Sequence, residues 1–230
     1  MTAQKKGKLI VIEGTDGSGK SVQTRLLAEK LKKEGRRIIA ASFPQYGKKS
    51  TGLIEEYLNG KYGAPGAVSP YAASLFYALD RFDFSYELKK FLAEGLDVVL
   101  DRYVDSNAGH QGGKITNLKE REKFLSWLYD LEYRILGIPR PDVVLFLHVS
   151  AEIGQKLVAK KQQRLYLERG KTHDVHEGDI GHLKAAEESY LFLVKKYPKE
   201  HHMIECVRNG NLAAPDEIAA MVWSLVKKYV

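Results

Sequence analysis

Along the chain, short apolar runs alternate with stretches in which apolar residues recur every three or four positions. "KLIVIE" (8–13) reads as a buried strand, and an amphipathic helix follows from about Ser18 to Lys33 with Val22, Leu26 and Leu27 on its apolar face. "RRIIAAS" (36–42) predicts a second strand, and a helix is expected from Thr51 to Leu58. The Gly/Pro-rich loop "NGKYGAPGAVSP" leads into a long helix over about 70–94, and "DVVLD" (97–101) predicts a third strand ending on a carboxylate. Another helix, from about Leu118 to Leu136, precedes "PRPDVVLFLHVS", which turns into a fourth strand; "HMIEC" is a fifth, and a last helix runs from Pro215 to Tyr229. Short, fully apolar strands alternating with helices build a parallel sheet covered on both faces. The expected fold is α/β, a three-layer α/β/α arrangement around a five-stranded parallel sheet, in a single domain over 1–230. One segment, 159–181, breaks the rhythm: it is dense in charge and closed by glycines, and a connection that long predicts a mobile lid.

Apolar residues make up 44% and charged residues 28% of the 230, a globular balance without disorder bias. The single cysteine, Cys206, excludes an internal disulfide framework and suits a reducing compartment. No apolar run approaches the roughly 20 residues of a membrane helix. The basic start "MTAQKKGK" is followed by only four apolar residues before Glu13, too few for a signal peptide, so a cytoplasmic location is expected. The net charge of +7 admits nucleic acid, a membrane surface or small anions as partners. The basic residues mostly alternate with acids at helical spacing and lack the aromatic interleaving of single-strand binders. The expectation is no nucleic acid and no membrane, but phosphate-bearing small molecules.

The stretch "LIVIEGTDGSGKS", Leu9 to Ser21, gives that expectation a site. Gly14, Gly19, Lys20 and Ser21 fill G-x-x-x-x-G-K-[ST] between a predicted strand and a predicted helix, the context the P-loop motif requires. The backbone from Gly14 through Thr15, Asp16, Gly17 and Ser18 to Gly19 would curl its N–H groups around phosphate oxygens at a helix N-terminus. Lys20 would reach the β- and γ-phosphates, and the Ser21 hydroxyl would ligate Mg2+. The fold class is therefore that of a P-loop NTPase, binding a nucleoside triphosphate.

Switches, motors and kinases share that fold. No N-K-x-D base-reading motif is present, and the third strand ends "LDRY", with Arg102 after Asp101. An arginine at the C-terminal end of a parallel strand lies in the ligand crevice, and its fork matches phosphate geometry. A second phosphate-bearing molecule is expected there. A phosphate monoester is already mostly ionised near neutral pH, with a second pKa of about 6, and needs cations rather than a general base. A hydroxyl acceptor would instead call for a positioned carboxylate, which Asp101 or Asp16 supplies; both acceptor types stay open on these residues alone.

The assembled pieces resemble the thymidylate kinase family over most of the chain. "IEGTDGSGKS" is similar to that family's P-loop, "FPQYG" (43–47) to its F-P-x-Y-G stretch, and "YALDRFDF" (77–84) to its base-stacking helix. "LDRYVDSNAGHQGG" (100–113) resembles the D-R-[YH] signature and the S-x-A-[YF]-Q-G region after it, and "GIPRPDVVLFLHVSAE" (137–152) the lead into the fourth strand. The resemblance implies transfer of the ATP γ-phosphoryl to dTMP. It places Asp16 near the acceptor sugar and the metal, Phe43 and Pro44 in the acceptor pocket wall, and Tyr46 near the acceptor phosphate. Tyr77 would stack on thymine while Arg81 bonds a ring oxygen; Arg102 would clamp the acceptor phosphate, Asp101 would order the water shell of Mg2+, and Asn107 and Gln111 would border base and deoxyribose.

Two positions depart from the family pattern. His110 stands where Tyr or Phe is usual, near the sugar, and His176 stands in place of a lid tyrosine. The P-loop arginine of some members is replaced by Gly17, so the resemblance moves the transition-state cation to the lid: Arg164 first, then Arg169, Lys160 or Lys161. Asp174 and Glu177 would order the lid or touch the acceptor. The resemblance also implies a homodimer. The alternatives are another P-loop kinase taking dUMP, dCMP or thymidine, or a nucleic-acid-stimulated P-loop ATPase.

Overall fold

Strand β1 (Leu9–Glu13) shows why the strands are unbroken apolar runs. Leu9 and Val11 enter one core while Ile10 and Ile12 enter the other, because successive side chains leave a strand on opposite faces and both faces are covered. β3 (Asp97–Asp101) and β4 (Val143–His148) divide in the same way, with Val98, Leu100, Val144 and Phe146 on the first face. The computed structural model describes residues 6–64, 66–158 and 180–230. With β2 (Ile38–Ser42) and β5 (His201–Glu205) these strands form one parallel sheet in the order β2-β3-β1-β4-β5. β1 is central, and the chain turns to β3 on one side and β4 on the other, so the crevice beyond its C-terminal end is the natural ligand position.

Helices α1 (Lys20–Lys33) and α8 (Pro215–Val226) close the Ile10/Ile12 face. The predicted apolar face of α1 is corrected: Val22 is exposed and Leu26 only half-buried, and the helix instead buries Gln23, Thr24, Leu27, Ala28 and Leu31. Gln23 faces inward because its amide donates to the Pro215 carbonyl at 2.9 Å, a polar tie that apolar periodicity does not register. α2 (Gly52–Leu58) and α3 (Pro70–Ala93) lie close to expectation; Ser69 caps α3 by accepting from Ala72 N, with Pro70 at the first helical position.

Several elements are not predicted by the hydrophobic pattern. α4 (Val104–His110) follows β3 directly, α6 (Ala151–Val158) follows β4, and α7 (Ile180–Lys196) fills a stretch before β5 to which the pattern assigns no element. A short antiparallel pair, β6 (Val207–Arg208) with β7 (Asn211–Leu212), is likewise additional to the expected strands. α4 and α7 pack on the Leu9/Val11 face, while α6 and the β6–β7 pair contribute Ile153, Val207 and Leu212 to the Ile10/Ile12 face. The helix expected to run to Leu136 is α-helical as α5 (Leu118–Tyr129) and continues as a π-helical turn over Asp130–Ile135. Such turns widen the helix and re-aim side chains; here Glu132 points into the core. Of the lid expected over 159–181, residues 159–179, including Lys160, Lys161, Arg164, Arg169, Asp174, His176 and Glu177, lie outside the described residues. No helix among the described residues is long and apolar enough to cross a membrane.

Candidate active site

The loop from Gly14 to Gly19 leaves β1 and enters α1, as its motif requires. Gly17 and Gly19 have φ of +84°, the left-handed region that glycine enters without penalty. Gly17 is also packed shut. A Cβ there would meet the Gly154 carbonyl oxygen at 2.4 Å, and a Cβ on Gly154 would meet the Asp16 carbonyl at 2.7 Å, so the loop and α6 touch backbone to backbone. No arginine fits at position 17. The buried Lys20 ammonium donates to the Thr15 carbonyl at 2.8 Å. Burial first, and then the Arg102 charge, bring its pKa down to about 8, while Asp16 and Asp101 work in the opposite sense.

Arg102 is the hub of the site. It is a non-glycine residue with φ +69°, a conformation that costs about 1 kcal/mol or more and persists only where its surroundings fix it. Those surroundings are visible. Its N–H donates to the Ile12 carbonyl at 2.9 Å, and the Glu13 carboxylate accepts from Tyr103 N at 2.6 Å and from Ser106 N at 3.1 Å, capping α4 from the neighbouring strand. The Ser106 and Tyr190 hydroxyls also donate to Glu13, at 2.7 and 2.9 Å. Burial, then Asp105, raise the Glu13 pKa, and Arg102 opposes them. The turned backbone aims the guanidinium across β1, where Nη2 pairs with Asp16 Oδ1 at 2.5 Å and Nη1 lies 3.1 Å from His110 Nε2. Burial works against its charge, but Asp16, Tyr190, Asp101 and Glu13 together prevail and the pKa is raised.

Two cavities meet at this guanidinium. One is lined by Gly17, Gly19, Lys20, Ser21 and Asp101; the other by Tyr77, Arg81, Ser106, His110, Gln111 and Leu58. Asp16, Phe43, Pro44, Tyr46 and Arg102 belong to both, forming a shared wall, and the Phe43–Pro44 peptide is cis. Tyr77 packs edge-on against Tyr57. Arg81 has its donors partly engaged: Nε donates to Glu132 Oε2 at 2.7 Å, Nη2 to Glu132 Oε1, and Nη1 to the Tyr103 carbonyl at 3.2 Å. Asn107 is buried, donates to the Ser74 carbonyl at 3.1 Å and so ties α4 to α3; it is not among the residues lining either cavity.

Residues of the site absent from the sequence-based expectation include Glu13, Asp80, Glu132 and His182. Asp80 is buried and holds the Phe43–Ser50 loop, accepting from Gln45 N at 2.9 Å and from Ser50 Oγ at 2.7 Å. Its position beside Arg81 inside an apolar helix is a usable signal, as is a glutamate closing the run "LIVI". Glu132 and His182 leave none, since a π turn and an unrecognised helix place them.

Asp101 Oδ1 is buried without a hydrogen-bond partner, in the cavity that also holds the Ser21 hydroxyl. Among the described residues no group of three or more His, Cys, Asp or Glu converges as a cation cage. One carboxylate and one hydroxyl beside a phosphate nest suit Mg2+, which keeps several waters and takes the rest of its shell from phosphates.

A phosphate nest and a second cavity meeting at one guanidinium, on a 2-3-1-4-5 parallel sheet, define a P-loop kinase that acts on a small phosphorylated acceptor. The family description for thymidylate kinase matches residues 12–206. Among curated relatives, a thymidylate kinase of Mycobacterium tuberculosis is 35% identical over 173 residues, 74% of this chain and 78% of that one. Another, of Thermoanaerobacter sp., is 31% identical over 226 residues, 98% of this chain and all of that one. A solved thymidylate kinase structure from Candida albicans superposes with a TM-score of 0.73 at 23% identity, covering 97% of this chain and 92% of that chain. The chain belongs to the thymidylate kinase family.

Proposed function

We propose that the two cavities hold the two substrates of a dTMP kinase end to end, with Arg102 between their phosphates. The reaction is transfer of the ATP γ-phosphoryl to dTMP, giving dTDP. ATP phosphates occupy the Gly14–Ser21 loop, with Lys20 on the β- and γ-phosphates. The acceptor phosphate sits against Arg102 and Tyr46, its base between Tyr77 and the Arg81 edge, and its sugar near Asp16, His110 and Gln111. The dianionic acceptor phosphate is itself the nucleophile, so the side chains supply alignment and positive charge rather than proton abstraction. Mg2+ would be held by Ser21 and, through water, by Asp101, and would supply positive charge that neutralises the triphosphate. The observation that carries this reading is the guanidinium placed in the wall common to both cavities.

With position 17 closed to a side chain, the transition-state cation comes from the 159–181 segment, Arg164 first, with Arg169, Lys160 and Lys161 as the other candidates. Asp174 and Glu177 would order that segment or touch the acceptor. His110, smaller and more polar than Tyr or Phe, sets the tolerance for a 2′-hydroxyl. The chain acts as one domain over 1–230 and as a homodimer. Tyr71, Leu75, Leu79 and Tyr86 make an exposed apolar stripe on α3 at helical spacing, and a second copy is the occupant that suits it. The buried Cys206 thiol, pushed up to about 12 by burial, fits an inert thiol in the cytoplasm.

A coupled ADP-release assay over a panel of nucleoside monophosphates and nucleosides tests the assignment. Preference for dTMP, with Arg102→Ala raising the KM for dTMP far more than that for ATP, is the expected result. Equal turnover of thymidine and dTMP, or equal losses for both substrates, would contradict it.

A further inference from the structure

His110 is the last residue of α4, and behind it stands His182, on the first turn of α7. His110 places Nε2 3.1 Å from Arg102 Nη1 and Nδ1 3.3 Å from His182 Nε2. The two imidazoles lie nearly parallel, 25° apart at 5.5 Å, and the Tyr190 ring braces His110 edge-on. The order of these contacts dictates the protons. A guanidinium only donates, so His110 must present a lone pair at Nε2 and carry its hydrogen on Nδ1. That N–H faces His182 Nε2, which must be a lone pair in turn. Each assignment fixes the next, from α7 to the guanidinium.

We propose that His182 is a positioning residue for the acceptor clamp, acting through His110 to hold the Arg102 guanidinium toward the acceptor phosphate. This rests on the reading of Arg102 as that clamp. One extra proton on the pair reverses the chain. With Nε2–H on His182, His110 must move its own proton to Nε2, where it meets an Arg102 N–H. The groups that face the pair are Arg102 from the β3–α4 turn, Asp16 and Lys20 from the P-loop and α1, Glu13 from β1, and Tyr190 from α7. Burial first, then Arg102, hold the His110 pKa well below 6.5, while Asp16 acts in the opposite sense. His110 is neutral in the working enzyme.

The test is steady-state kinetics of wild type, His182→Leu and His182→Gln from about pH 5.5 to 8, with each substrate varied. Leucine removes the acceptor that His110 needs, and glutamine returns one through Oε1. His182→Leu is expected to raise the KM for dTMP about fivefold to tenfold near neutral pH, as for loss of one hydrogen bond between neutral groups, with kcat and the KM for ATP within about twofold; His182→Gln restores it. The substrate's own ionisation, with a pKa of about 6, is common to all three, so differences between the curves decide. The ratio of wild-type to His182→Gln KM for dTMP should grow as pH falls, because only wild type can take up the disruptive proton. Leucine and glutamine behaving alike, losses shared equally between dTMP and ATP, or parallel pH curves overturn the proposal. Were His182→Leu not to fold, the wild-type and His182→Gln curves alone suffice: divergence at low pH supports the coupling and parallel curves overturn it. Were Arg102→Ala to leave the KM for dTMP unchanged, the clamp reading itself would be what fails.

Discussion

Replacing Glu132 by alanine would leave the Arg81 guanidinium inside the protein with Nε and Nη2 stripped of their acceptors and only the Tyr103 carbonyl, at 3.2 Å, still in place. The two side chains are 2% and 0% exposed, so water cannot take over the lost contacts. Burial already holds the Glu132 carboxyl above the usual range, against the pull of Arg81, a sign of how much desolvation the pair carries. Breaking one side of such a pair costs about 3–5 kcal/mol, a large part of a domain stability of about 5–15 kcal/mol. With a urea m-value of about 1–3 kcal/mol/M, the midpoint should fall by about 1 M or more, read by tryptophan fluorescence because Trp127 packs on Tyr71 and Phe124 nearby. The double substitution Arg81→Met with Glu132→Leu removes both charges and should recover most of that loss, since apolar replacement of a buried pair is often neutral or stabilising. Use of dTMP should not recover, because Arg81 also lines the cavity proposed for the acceptor. A single-substitution shift below about 0.3 M, or a double variant no more stable than the single, would refute the reasoning.

For Lys20, charge is present below its pKa of about 8 and lost above it, so kcat/KM for ATP, which reports the free enzyme, should decline as pH rises through that value. Gly17→Ala should cost at least about 2 kcal/mol in chemical unfolding, from the left-handed backbone and the clash with Gly154, and should weaken ATP binding with it. His148 bridges Glu205 and Glu187, at 2.5 and 2.9 Å; burial lowers its pKa, but the two carboxylates prevail and raise it. That stabilisation is full below the unfolded value of about 6.5 and lost as pH rises through the higher folded pKa, so the Tm deficit of His148→Gln should be larger near pH 5.5 than near pH 9.

The parallel strands and the phosphate loop are legible in the sequence because their signals are local. A doubly covered strand must be apolar at every position, and a nest for phosphate needs glycines at fixed spacing. Arg102 is legible for a similar reason, standing at the end of such a strand. α4 and α7 are not. "VDSNAGH" carries polar residues and glycine because its side chains bond to Glu13, Ser74 and His182 rather than pack on oil, and α7 buries His182, Ser189 and Tyr190 among its apolar residues. The apolar face of α1 is misassigned from the sequence because the buried Gln23 and Thr24 replace the valine expected there.

The meeting of Gly17 and Gly154 has a mechanical corollary. With no side chain between them, the nucleotide cradle and the helix after β4 are stacked like two bare plates, so a displacement of one cannot be absorbed by a rotamer change and must be transmitted. Any tilt of that helix would reach the loop proposed for the donor's phosphates directly, and a triphosphate held there would in turn restrict how far the helix can swing.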